Sequence, residues 1–179
     1  MSWLTDETLQ SLAARAQSLQ TDMGWEGFER PPQPRPPVTA SALEDAEARL
    51  GFRLPPPVRQ LYSKVANGGF GPGYGLIGLI DGVRSDLKRD AVEEYLAFRR
   101  PDPEDPGYEW PERILPICHW GCAIYSCVDC GDEDAAIIRF DPNVVDADWS
   151  IAFAPEGHTL SSWLEAWLRG DELFEPRVI

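Results

Sequence analysis

The chain has 179 residues, of which 43% are hydrophobic and 26% are charged. This length and composition fit one globular domain with a short appendage, and they exclude a wholly disordered chain or two full domains. Acidic residues outnumber basic ones by 30 to 16, and the net charge of −14 repels phosphate backbones and anionic membrane surfaces, so we expect binding to neither nucleic acid nor membrane.

The N-terminal segment predicts a cytoplasmic protein that begins with a helix. Residues 1–7 carry acids where a secretory signal needs bases and an apolar run, so export by that route is not expected. Thr5 then precedes leucines and alanines at three- and four-residue spacing, which indicates a first helix to about Gln20. Five prolines in residues 31–37 favour an extended connector, so residues 1–38 are predicted to be a helix and linker outside the main domain.

Two helices are predicted after the connector. Ser41 and Glu44 have the spacing of a capping box, and Gly51 stands where a left-handed C-cap is expected, so a second helix is predicted between them. The prolines of residues 55–57 fit the first turn of a third helix, where missing N–H groups cost little. Asn67 and the glycine after it would end that helix.

The glycine-rich segment of residues 67–75 invites comparison with phosphate-binding loops, because glycines let backbone amides approach an anion. Such loops run from a strand through the glycines to a helix, whereas here a helix precedes the glycines and residues 76–80 are predicted to form a strand. A helix-to-strand turn is therefore the preferred interpretation. Residues 86–99 have the apolar spacing of another helix, which Pro101 would stop.

The C-terminal half is predicted to contain a sheet and a closing helix. Three sequential, largely antiparallel strands are indicated by β-branched and aromatic runs at residues 114–118, 122–128 and 135–140. Residues 149–154 are a candidate fourth strand, and apolar spacing in residues 160–168 predicts a final helix. Helices before and after hairpin-connected strands indicate an α+β domain, which we place at residues 39–179.

Few side chains are available for catalysis. His158 lies at the mouth of the last predicted helix and is interpreted as a helix-boundary residue. His119 is predicted in a turn between two strands, where it could pair with a cysteine, but the sequence offers no third group to orient such a dyad. We therefore expect neither enzymatic activity nor a cofactor.

Four clustered cysteines are the strongest metal candidate, because four thiolates can close a tetrahedral zinc site: Cys118, Cys122, Cys127 and Cys130. Cys122 and Cys127 lie an odd number of positions apart on one predicted strand, so their side chains would point to opposite faces. The gap between the two pairs is also shorter than zinc sites use. We predict structural, reduced thiols, with zinc as the weaker alternative.

Acidic charge is concentrated in the C-terminal part of the chain. Residues 1–101 contain 13 acidic and 12 basic side chains, whereas residues 102–179 contain 17 and 4. Acids on loops at related ends of a sheet can form one negative patch with aromatic anchors, and a solvated surface is the alternative. The candidate partner-binding residues are Asp102, Glu104, Asp105, Tyr108, Glu109, Trp110, Glu112, Asp132, Glu133 and Asp134, with Tyr108 and Trp110 as anchors. Further acids are Asp141, Asp146 and Asp148, and Trp120 is a weaker anchor candidate.

Seven residues after the connector form an ordered pattern, which is a Glu, then Leu-Gly, then Leu-Pro, then a helix ending in Asn-Gly. They are Glu47, Leu50, Gly51, Leu54, Pro55, Asn67 and Gly68. This pattern resembles the opening signature of the SUKH superfamily (Smi/Knr-type) of bacterial immunity proteins. Residues 114–117 and 121–125 also resemble the central strands of that family, and residues 163–168 resemble its closing helix.

The resemblance implies a non-catalytic α+β domain with a mixed, largely antiparallel sheet of about five or six strands flanked by helices. It also implies a place in a bacterial polymorphic toxin system, where such proteins bind a cognate toxin that is frequently a nuclease with a basic surface. An acidic surface suits that partner, so an immunity protein is the leading interpretation. A general protein-interaction or regulatory module of the same fold is the alternative, and the oligomeric state is left open.

Overall fold

A four-stranded antiparallel sheet forms the centre of the protein, with the strands in the order β1-β2-β3-β4. The structure is a computed structural model that describes residues 3–18 and 33–174. The strands are β1 Ile114–Gly121, β2 Ile124–Asp129, β3 Ala136–Phe140 and β4 Phe153–Thr159. Five α-helices accompany the sheet in the described residues: α1 Asp6–Gln17, α2 Ala40–Leu50, α3 Pro56–Lys64, α4 Ala91–Phe98 and α5 Leu160–Arg169.

The α+β class and the sequential antiparallel strands are confirmed, but the expected sheet is wrong in size and type. Within residues 3–18 and 33–174, the sheet has four strands rather than five or six, and every pairing in it is antiparallel rather than mixed. Predicted strand 76–80 contributes a single bridge, between Leu76 and Cys118. The amide of Leu76 instead donates to the carbonyl of Phe70 at 2.6 Å, and the amide of Gly78 donates to the carbonyl of Val83 at 2.7 Å. These two N–H groups are therefore bonded to loop carbonyls and do not pair with a neighbouring strand.

Side-chain caps move the starts of two predicted elements. The Asp148 carboxylate accepts a hydrogen bond from the Ser150 amide at 2.9 Å and begins a short 3-10 turn, so β4 starts at Phe153 instead of residue 149. Helix α4 starts five residues later than predicted, at Ala91, because Asp90 and the third helical residue form a reciprocal capping box. The loop of residues 81–90 therefore stays free of helix.

The caps of α2 confirm one prediction and correct another. The expected capping box at Ser41 and Glu44 is wrong, because the Thr39 hydroxyl caps the helix by accepting from the Ala42 amide at 3.1 Å. Gly51 follows the helix with φ at 81°, in the left-handed region, as its position in the sequence predicts.

Helix α1 packs against α3 and α5 and so belongs to the same hydrophobic core as the sheet. The Arg15 guanidinium lies 4.4 Å above the Trp167 ring and donates to the Leu168 carbonyl at 3.0 Å. Helix α1 ends at Gln17, and the predicted end at Gln20, with the first two residues of the connector, lies outside the described residues. None of the helices in the described ranges is long and apolar enough to cross a bilayer.

Candidate functional site

Two of the signature residues have a structural role that the contacts explain. The Glu47 carboxylate accepts from the Leu54 amide at 2.9 Å and forms an ion pair with Arg59, which fixes the start of α3 against the end of α2. The Asn67 side chain is buried, accepts from the Leu79 amide at 2.7 Å and donates to the Ile80 carbonyl at 2.8 Å. These polar residues therefore hold the framework and do not line a ligand site.

The glycine-rich segment packs onto its own backbone instead of presenting free amides. A Cβ atom at Gly68, whose φ is +82°, would lie 2.5 Å from the Gly78 nitrogen, so only glycine fits this crossing. The amide of Gly69 donates to Leu76 and that of Gly75 donates to Pro72, each at 2.9 Å. These two hydrogen bonds close the loop on itself. The expected strand after the loop is not formed, because residues 76–80 contribute only a single bridge, so the predicted helix-to-strand turn leads into a further loop.

The loop between α4 and β1 carries most of the predicted acids and is anchored on Trp149. The Trp149 indole N–H donates to the Asp105 carboxylate at 2.8 Å, and the Tyr108 and Trp149 rings meet edge to face with centroids 4.9 Å apart. Burial and the nearby Asp102 charge raise the pKa of Tyr108 to about 12, so its hydroxyl stays protonated. Ile151, two residues after Trp149, is 42% exposed.

We call this surface the acidic platform. It consists of half-buried Trp149, of Asp105 and Tyr108, which contact Trp149, and of exposed residues that lie near these three along the chain. Its members are Asp102, Glu104, Asp105, Tyr108, Glu109, Asp146, Asp148, Trp149 and Ile151. Within residues 3–18 and 33–174, none of its carboxylates forms an ion pair with a basic side chain. Uncompensated negative charge around half-buried aromatic rings is suited to a partner with a basic, partly apolar face.

The remaining predicted acids lie at the other end of the sheet. Asp132, Glu133 and Asp134 form the β2–β3 turn, next to the start of β1, because Ile114 pairs with Asp129. The acidic platform instead lies near the pair formed by Tyr125 and Phe140. Tyr125 is four residues from Asp129 on β2, which corresponds to about 13 Å at the rise of a strand. Glu112 pairs with Arg99 at 3.4 Å. The structure therefore divides the predicted set into two surfaces.

Trp110 is not the surface anchor that the sequence suggested. Its side chain is 1% exposed, its indole N–H donates to the Ile114 carbonyl at 2.7 Å, and its ring packs on Phe98 and Phe140. That anchor prediction is wrong because the ring belongs to the core. Trp120 is also buried, and its indole donates to the Ser126 hydroxyl at 2.8 Å.

Sequence reasoning missed Trp149 and Ile151, which supply the apolar part of the acidic platform. The available signal was their position directly after Asp146 and Asp148, which matches the aromatic and acidic mixture that singled out Tyr108. Residues 149–154 were instead interpreted as a candidate strand.

The two histidines have structural surroundings. His119 lies within β1 rather than in a turn, with its Nε2 3.5 Å from the Asp86 carboxylate and its ring stacked on Tyr74. Burial lowers the pKa of His119, and Asp86 opposes that shift in part. The adjacent Cys118 thiol donates to the Pro72 carbonyl at 3.1 Å. His158, at the start of α5, has its Nδ1 3.3 Å from the Ser162 hydroxyl.

The cysteines are buried except for one. Cys118, Cys127 and Cys130 lie in the core, and burial raises the pKa of the last two, whereas Cys122 is exposed in the β1–β2 turn. In the part of the chain that the structure describes, no three His, Cys, Asp or Glu side chains are arranged to hold a metal ion.

A buried carboxyl fixes the loop of residues 81–90. Glu94 is fully buried and accepts from the hydroxyls of Ser85 at 2.8 Å and Tyr125 at 3.1 Å, while Arg89 pairs with it at 3.3 Å. Burial raises the pKa of Glu94, although these hydrogen bonds lower it in part, and burial also raises the pKa of Asp90. Every contact of Glu94 is made within the chain, so it ties the loop to α4 and β2.

These shifts predict how stability depends on pH. Because the pKa of His119 is lower in the folded protein, the unfolded chain takes up a proton on this imidazole more readily. The contribution of neutral His119 to the free energy of unfolding is therefore present above pH 6.5 and is lost as the pH falls through the folded-state pKa. The raised pKa values of Glu94 and Asp90 act in the opposite direction, because protonation of these two carboxyls favours the folded state. The variant H119Q should therefore lose less stability than the wild type between pH 7.5 and 5.5, measured by urea unfolding. Equal losses in the two proteins would contradict this assignment, and H158Q is the control for removing an imidazole elsewhere.

The fold and the signature contacts define a class of protein. It is an α+β domain in which two helices, joined through Glu47 and closed by Asn67, precede an antiparallel sheet and a final helix. Residues 37–169 match the SMI1 / KNR4 family (SUKH-1), and the chain belongs to that family. This confirms the resemblance found in the sequence. Proteins of this family are generally non-catalytic, and membership suggests an immunity-type protein. No curated protein matches the chain.

Proposed function

We propose that this protein binds a cognate bacterial toxin and neutralises it, and that the acidic platform is the surface that makes the contact. Family membership supports the immunity-type role. We choose this surface because the platform carboxylates have no basic partners among the described residues and accompany the aromatic pair of Trp149 and Tyr108. A basic toxin of nuclease type is the partner that this charge favours.

The arrangement explains how binding would inhibit such an enzyme. A basic cleft that attracts a phosphate backbone also attracts carboxylates, so the platform is steered onto the cleft at a high association rate. Trp149, Tyr108 and Ile151 then supply apolar contact area at the centre of the surface. A bound platform blocks the cleft to substrate, and no reacting group is required from this chain.

Affinity capture from the producing cells tests the proposal. The protein is immobilised, extract is applied at low salt, and the partners released by rising salt are identified. The proposal expects one stoichiometric basic partner whose expression alone stops growth and whose toxicity this protein removes when the two are expressed together. Several unrelated partners without toxicity would favour the general interaction module and overturn the immunity function.

Charge reversal on the platform gives a sharper prediction for the captured partner. Glu104 and Glu109 are exposed, and no side-chain hydrogen bond or ion pair to the described part of the chain is found for either. The variant E104K/E109K should bind roughly tenfold more slowly at low salt, with little change in stability. The matched control is E44K/D45K on α2, which changes the net charge equally outside the platform. Surface plasmon resonance measures both, and equal association rates would remove the platform from the interface.

A further inference from the structure

A groove at the opposite end of the sheet from the acidic platform has the features of a second binding site. It lies between α3 and the β2–β3 turn and has a volume of about 680 Å³, which is within the range of ligand sites. Pro55 and Pro56 give it an apolar surface, and Trp3 stands among its lining residues with 49% of its surface exposed. We call it the Trp3 groove.

The backbone beside Trp3 is held in place by a side-chain clamp. The Gln60 amide accepts from the Leu4 N–H at 3.0 Å and donates to the Leu4 carbonyl at 3.3 Å, so one α3 side chain pairs with both backbone groups of Leu4. The Leu4 side chain is buried at 3% exposure. The indole next to it is thus exposed from an ordered position, which lowers the entropy cost of using it as an anchor.

The two walls of the Trp3 groove carry opposite charges, and no ion pair joins the walls within the described residues. Arg53 and Lys64 line the α3 side, and Asp132 and Glu133 line the turn side. In the described ranges, no ion pair is found for any of these four side chains, whereas Arg59 in the same groove pairs with Glu47. A ligand that satisfies both walls needs basic groups on one side and acidic groups on the other.

An extended polypeptide can meet this requirement through its geometry. Successive side chains of an extended chain point to opposite sides, so alternating basic and acidic residues present all cations on one side and all anions on the other. We propose that the Trp3 groove binds an extended segment of a partner protein in which basic and acidic residues alternate. The basic side chains pair with Asp132 and Glu133, and the acidic ones pair with Arg53 and Lys64.

Two capped peptides of identical composition test this assignment, and the test is independent of any toxin. Ala-Arg-Glu-Arg-Glu-Ala places like charges on one side, whereas Ala-Arg-Arg-Glu-Glu-Ala mixes them. The indole N–H signal of Trp3 is followed by ¹H–¹⁵N NMR at low salt and is assigned by its loss in W3F. The alternating peptide should shift this signal saturably with a dissociation constant of about 1 mM, and the mixed isomer should bind on the order of tenfold more weakly.

Variants of each wall separate the two sets of contacts. We expect R53Q/K64Q and D132N/E133Q each to weaken the alternating peptide by roughly tenfold, while E104Q/E109Q on the acidic platform leaves its binding unchanged. Equal affinity for the two isomers would show that composition rather than alternation is recognised and would overturn the proposal. If the alternating peptide gives no saturable shift up to about 10 mM, which is tenfold above the expected dissociation constant, the proposal is overturned as well. Because all changed side chains lie at the surface of the groove or of the acidic platform, the unchanged core signals of each variant verify folding.

Discussion

Replacing Arg139 by methionine is expected to lower the free energy of unfolding by about 3–5 kcal/mol, because the change leaves the Glu156 charge buried without its partner. The two side chains are each 7% exposed, and the Arg139 Nε lies 3.1 Å from the Glu156 carboxylate. The Ser126 hydroxyl also donates to that carboxylate, at 2.6 Å. Solvent reaches little of either side chain, so the cost of an unpaired charge falls on the folded state.

The same arginine also connects the sheet to the C-terminal segment after α5. Its Nη2 donates to the Leu173 carbonyl at 3.0 Å, and its guanidinium lies 4.8 Å from the Phe174 ring centroid and 5.7 Å from that of Trp120. R139M therefore removes a backbone hydrogen bond and two cation–π contacts in addition to the ion pair. A methionine retains much of the apolar contact of the arginine stem, so the loss reports mainly on the charge.

Urea unfolding of R139M, E156M and the double variant measures these contributions. The double variant should recover part of the stability lost in R139M, since it removes the uncompensated charge. The control is R169M, whose partner Asp171 is exposed, and it should change stability by less than about 1 kcal/mol. A loss of less than about 1 kcal/mol in R139M would mean that water reaches Glu156 and would contradict the buried pair.

Features that depend on local sequence were predictable. Gly51 and Gly170 end α2 and α5 with φ near 80°, and the left-handed cap is a property of the few residues around it. The hairpin-connected strands were recognised for the same reason, since β-branched runs and short turns are local signals. Capping at Thr39 rather than Ser41 shows the limit of such signals, because both residues offer a suitable hydroxyl.

Features set by distant partners were not predictable. Residues 76–80 have the composition of a strand, but the amides of Leu76 and Gly78 bond to loop carbonyls and that of Leu79 bonds to the Asn67 side chain, which only the folded chain brings near. Trp110 and Trp149 both lie beside acidic residues, and tertiary packing buries the first and leaves the second half exposed. The separation of Asp132 from Asp105 follows from strand register, which places their loops at opposite ends of the sheet.

Replacing Asn67 by alanine is expected to lower the free energy of unfolding by about 2–5 kcal/mol, because it leaves two buried backbone groups without partners. These groups are the Leu79 amide and the Ile80 carbonyl, which the Asn67 side chain bonds at 2.7 and 2.8 Å. The Asn67 side chain also packs closely against Gly82, since a Cβ atom added to Gly82 would lie 2.5 Å from the Asn67 Oδ1. Alanine at position 67 removes this contact. The crossing of residues 67 and 78–83 would therefore lose both hydrogen bonds and packing.

The expected loss is measured by urea unfolding, with N143A as the control. Asn143 is exposed and its side chain donates to the Cys122 carbonyl at 3.0 Å, so its removal exposes that carbonyl to water and should cost less than about 1 kcal/mol. Similar losses in N67A and N143A would show that water satisfies the groups at Leu79 and Ile80. A selective loss in N67A would show that the Asn of the Asn-Gly signature satisfies buried backbone groups in the core.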